Sequence, residues 1–179
     1  MAQKISRNVV QRITLPRAES ARWCNEMLSA AARNLNAAML DQDLNLIVFK
    51  EGARKVLNPE GKQNYLWPSM SPDNTRVLYS ISGKECYIYD LTQQEKMALG
   101  RLHAPSWSPD GNWVIGMDDY DDGERFTRSD IILVSADGQH RINLTEKFPK
   151  IALYPSFSPN GKEIIFNSDK GEIFRMKTR

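Results

Sequence analysis

The densest run of ionisable side chains in the sequence is Asp118-Asp119-Tyr120-Asp121-Asp122-Gly123-Glu124-Arg125, continuing through Phe126-Thr127-Arg128-Ser129-Asp130. Clustered carboxylates are what calcium and other hard cations select, because these ions take oxygen ligands. The EF-hand spacing is not met: its third position would fall on Tyr120 and its twelfth on Ser129. Two other uses fit the same residues. A solvated loop would carry Arg125 and Arg128 as counter-charges, and a polar partner could touch the loop from outside. The candidate binding residues are therefore Asp118, Asp119, Tyr120, Asp121, Asp122 and Arg125, with no metal ligand or cofactor assigned and calcium kept as an option.

Catalysis has little to work with. There is no Gly-x-Ser-x-Gly elbow and no His-Glu-x-x-His pair. The only imidazoles are His103, just before a proline-containing phrase, and His140, just after an Asp137-Gly138 turn, and both read as exposed loop residues. Cys24 and Cys86 have no metal-ligand spacing, and two buried thiols are a better reading than a disulfide. No catalytic residue is assigned, and the chain reads as a non-enzyme.

The elements that must position the acidic stretch are visible as an internal repeat. Trp67-Pro68-Ser69-Met70-Ser71-Pro72-Asp73-Asn74, Ala104-Pro105-Ser106-Trp107-Ser108-Pro109-Asp110-Gly111 and Tyr154-Pro155-Ser156-Phe157-Ser158-Pro159-Asn160-Gly161 are three copies of one phrase. Ser-Pro-Asp-Gly is a turn with a mechanism: Ser and Asp bond to local backbone, Pro presets φ, and Gly or Asn accepts positive φ. An apolar run follows each copy (Val77-Leu78-Tyr79, Val114-Ile115, Ile164-Ile165-Phe166). A third strand comes next at Cys86–Tyr89, Ile131–Val134 and Ile173–Met176, and a fourth at Lys96–Leu99 and Arg141–Thr145. Four short antiparallel strands per unit, repeated at this period, predict the blades of a β-propeller.

The phrase Pro-Ser-Trp-Ser-Pro-Asp-Gly, its apolar strand and the closing Arg-Ile-x-Leu-Thr resemble the WD40-like repeat of TolB-type propellers, over residues 62 to 179. Gly116-Met117-Asp118-Asp119, Asp121-Asp122-Gly123 and Gly171-Glu172-Ile173 resemble the C-terminal half of secreted TolB-like propeller proteins of Gram-negative bacteria. The resemblance implies a binding or scaffold module of the periplasm or cell exterior, meeting a protein or glycan partner. Such propellers also occur with peptidases and resemble lyase propellers. An enzyme or enzyme-associated propeller acting on glycans or peptides is therefore the alternative.

The rest of the chain is placed around these blades. Residues 62–102, 103–147 and 149–179 are three of them, and 18–60 reads as a degenerate first blade. Its second to fourth strands would start at Asn36, Leu44 and Arg54, after an Ala-rich connection; Trp23, Met27, Ala31, Leu35 and Met39 recur at helical spacing. Gln11-Arg12-Ile13-Thr14-Leu15 echoes His140-Arg141-Ile142-Asn143-Leu144, so residues 8–15 are expected to supply the last blade's missing outer strand. That pairing would close a single four-bladed domain over 1–179; the competing reading is part of a larger ring. The 179 residues are 41% apolar and 26% charged, enough for a packed core. The net charge of +2 has no basic block for nucleic acid, and no apolar run reaches membrane-spanning length. The tryptophans invite a carbohydrate platform, but Trp107 shares its repeat position with Met70 and Phe157 and reads as core between blades.

Overall fold

The computed structural model describes residues 36–178, all strand, turn and loop. Strands β1 (Ala37–Leu40), β2 (Leu46–Lys50) and β3 (Ala53–Val56) form the first sheet, in that order. The second holds β4 (Tyr65–Met70), β5 (Arg76–Ile81), β6 (Cys86–Asp90) and β7 (Lys96–Gly100). The third holds β8 (His103–Trp107), β9 (Trp113–Asp121), β10 (Phe126–Ser135) and β11 (Arg141–Asn143). The last has three strands, β12 (Ala152–Phe157), β13 (Glu163–Ser168) and β14 (Ile173–Lys177). Every pairing is antiparallel. The expected strand at 8–15, the Ala-rich connection and Cys24 lie outside the described residues.

The repeated turn is built the same way each time. In the third sheet Ser108 Oγ donates to Asp110 Oδ1 at 2.6 Å and accepts the Trp113 amide at 2.9 Å, while Asp110 Oδ1 accepts the Asn112 amide at 3.1 Å. Ser71 with Asp73 and Ser158 with Asn160 repeat this pattern. So do Ser135 and Asp137 in the β10–β11 turn, which lacks the proline. Asn74 takes the glycine position at φ 58°, as expected of the non-glycine residue best suited to it. The turns also lean on one another. A Cβ on Gly111 would stand 3.4 Å from Pro72 of the preceding turn, and one on Gly161 3.7 Å from Pro109.

Side chains alternate between two neighbours, as the period of a strand demands. Val77, Tyr79 and Ile81 join Leu46, Val48 and Tyr65 in a core between the first and second sheets. Leu78, one residue from Val77, instead joins Val114, Ile132 and Val134 between the second and third. Ile115, Met117 and Ile131 face Ala152, Leu153, Ile164 and Phe166 of the last. Met70, Trp107 and Phe157 each flank one of these three cores, so the large residue of the phrase is inter-sheet packing, as expected. Sheets of this kind, stacked face to face through shared apolar cores, are propeller blades. Among the described residues no core joins the first sheet to the last.

The first sheet keeps the outer part of the pattern. The Leu46 amide donates to Asn58 Oδ1 at 2.8 Å and its carbonyl accepts from the Leu57 amide. Ile131 does the same with Thr145 Oγ1 and Leu144. Strands β2 and β3 thus correspond to β10 and β11, the third and fourth strands of the third sheet.

Candidate binding face

The acidic stretch read as a long loop is a hairpin. Strand β9 runs to Asp121 and β10 resumes at Phe126, leaving a turn of only Asp122–Arg125. The carboxylates tolerate this because the strand sends successive side chains to opposite faces and each meets its own partner. Asp118 Oδ1 stands 3.4 Å from Arg101 Nε, an ion pair without hydrogen-bond geometry. The Asp119 side chain, only 5% exposed, turns the other way, and its Oδ1 lies 2.7 Å from His103 Nδ1. Arg101 also donates to the Asp119 carbonyl. Tyr120 is exposed, with the guanidiniums of Arg101 and Arg128 at 4.2 and 5.8 Å from its ring centre, within cation–π range.

The other three candidates sit at the tip. Asp121 Oδ1 accepts the Gly123 amide at 2.9 Å. Asp122 Oδ1 accepts the amides of Glu124 and Arg125, both at 3.0 Å, and its Oδ2 lies 3.9 Å from Arg125 Nε. The Arg125 and Glu124 amides hold the Asp122 carboxyl below the usual carboxylate range. The six residues therefore divide into an inner group, Asp118 to Tyr120, and a self-satisfied turn. Among the described residues no three His, Cys, Asp or Glu side chains converge as a metal site requires.

His103 is not a loop residue. It lies in β8 opposite Met117, one third exposed, with Trp67 stacked obliquely at 5.4 Å. The register of β8 against β9 carries its imidazole to Asp119. His140 is exposed, as expected.

A second set of residues shares one repeat position, of which the sequence reading singles out only Trp67, among the tryptophans of a carbohydrate platform. Trp67, Ala104 and Tyr154, each just before the proline of its phrase, have φ of 48°, 44° and 51°. Each marks a bulge in the first strand of its sheet, where the register shifts between Leu66 and Ser69, His103 and Ser106, and Leu153 and Ser156. Positive φ is uncommon for residues with a side chain, and bulges re-aim side chains. Here they leave the Trp67 and Tyr154 rings exposed, Tyr154 beside Phe126 of the hairpin at 6.4 Å, edge to face. The signal was available: all three occupy one position of the repeated phrase.

No family model matches the chain. Among solved structures it is similar to TolB from Acinetobacter baumannii, at 18% identity and a TM-score of 0.57, over 92% of this chain and 47% of that one. The putative TolB from Agrobacterium tumefaciens gives 17% and 0.51, over 79% and 61%. The tricorn protease gives 12% and 0.56, over 74% of this chain and 14% of its own. The chain has the TolB-like β-propeller fold, and it spans about half to three fifths of the length of the TolB structures it matches.

Proposed function

We propose that this is a non-catalytic propeller that binds a polypeptide partner outside the cytoplasm, using the face formed by the β9–β10 hairpin and the bulged first strands. One observation carries the reading. At the pre-proline position Trp67 and Tyr154 are held exposed at positive φ, a conformation the surrounding sheets must enforce. Rigid aromatic side chains with polar neighbours are efficient contact residues, because little side-chain freedom is lost when they are covered. Arg101 and Tyr120 supply adjoining charge and aromatic surface.

The alternative, a propeller acting on glycans or peptides, is favoured by the His103–Asp119 pair alone, since a carboxylate on Nδ1 orients an imidazole for general-base work. The two readings separate in one comparison. Wild type and a Trp67→Ala/Tyr154→Ala variant are screened against a displayed random-peptide library and a glycan array. Peptide ligands that select on wild type and are lost on the variant support the proposal. Glycans alone, or peptides kept equally by the variant, overturn it.

A further inference from the structure

A groove of about 700 Å³ separates the tip of the β9–β10 hairpin from the β13–β14 turn. Phe126 and Tyr154 line it with their edge-to-face rings, and Asp121, Glu124 and Asp169 bring three carboxylates against one guanidinium, that of Arg125. Arg125 already faces Asp122. Among the described residues neither Glu124 nor Asp169 has an ion-pair partner. An aromatic pair beside uncommitted carboxylates suits a cation with an apolar stem, which gains both ring and ion-pair contacts.

We infer that this groove receives an arginine or lysine side chain from an extended segment of the partner polypeptide. The inference rests on the binding reading above and specifies the chemistry of what is bound. Its energetics are those of a shallow, solvent-facing site. Cation–π and exposed ion-pair contacts are each worth about two- to fivefold in affinity, and the ion-pair part weakens with salt.

The test uses the full chain and a fluorescein-labelled Ser-Arg-Ser-Arg-Ser peptide, with versions carrying lysine, citrulline or glutamate in place of arginine. Binding is read by fluorescence polarisation. The arginine and lysine peptides are expected to bind more weakly as salt is raised, and the citrulline and glutamate peptides to bind at least about fivefold less tightly. Tyr154→Ala should weaken the arginine peptide by about two- to fivefold, and the pair Glu124→Gln/Asp169→Asn, which removes two carboxylates, by about three- to tenfold. Ala104 already occupies the Tyr154 position of the third sheet at the same sign of φ. An unchanged melting curve confirms that each variant is folded. If citrulline binds as well as arginine, the inference fails while the groove remains a peptide site. If the variants bind the arginine peptide as wild type does, the contact is elsewhere and the inference fails. Absence of binding by every peptide also overturns it, and the library comparison then decides the broader reading independently.

Discussion

Asp119 buries its carboxylate against the Nδ1 of His103 at 2.7 Å, across the β8–β9 pair and sixteen residues away in sequence. Removing either partner leaves the other short of its contact. Asp119→Ala is expected to cost about 1–3 kcal/mol and to free the imidazole. His103→Ala should cost a similar amount by stranding a buried carboxylate. The double variant should cost less than the sum, with a coupling of about 0.5–3 kcal/mol by denaturant melts. Strict additivity would mean that the contact carries no energy.

The serine–aspartate turns contribute to the response to acid, beside Asp41, Asp122 and Glu172, whose carboxyls are also held below their ordinary values. Ser71, Ser108 and Ser135 hydroxyls, followed by local amides, hold Asp73, Asp110 and Asp137 below the ordinary value of 3.8. A carboxyl whose folded pKa is depressed stabilises fully above its unfolded value, and that stabilisation fades as pH falls through the folded value. The protein should therefore keep its denaturation midpoint from neutrality to about pH 5 and lose stability below about pH 4. The triple variant Asp73→Asn/Asp110→Asn/Asp137→Asn should show a shallower acid loss. Asn160 already sustains the same turn without a titrating group.

Cys86 is a free thiol with no solvent exposure, and burial pushes its pKa up to about 12. It should resist a thiol-specific disulfide reagent at pH 8 in the folded protein and react promptly in denaturant. Rapid labelling of Cys86 in the native state, identified by peptide mapping, would contradict this.

Among the described residues strand β14 pairs with β13 on one side only, whereas the second and third sheets each carry a fourth strand. An uncovered edge exposes backbone donors and acceptors. The sequence match between Gln11–Leu15 and His140–Leu144 makes residues 8–15 the expected occupant of that edge. Deleting residues 1–15 should then lower stability by several kcal/mol, a large part of what a domain of this size has. A deletion variant that stayed monomeric and melted like the full chain would show that the edge is not covered in this way.

What could be read without a structure was local. The turn phrase carries its own hydrogen bonds, so Ser108, Pro109, Asp110 and Gly111 announced a hairpin wherever they recurred. Alternation then placed Val77 and Val114 in strands. The acidic stretch misled because aspartate is depleted in strands. Its residues 118–121 extend only because 126–130 lie opposite, a register no short window contains. The His103–Asp119 pair was hidden for the same reason. The repeat position that Trp67 and Tyr154 share was legible but their exposure was not, since the backbone twist that exposes them opposes the usual preference of a residue before proline.

The alternation of side chains in β5 has a consequence for how the molecule can be interrogated. Val77 and Leu78 are covalent neighbours, yet one reports on the junction with the sheet before and the other on the junction with the sheet after. Truncating each to alanine in separate proteins would loosen a different seam of the array. Hydrogen exchange could then follow how far each injury spreads, in a protein whose other seam is intact. A single dipeptide thus serves as a pair of independent gauges, one for each direction along the propeller.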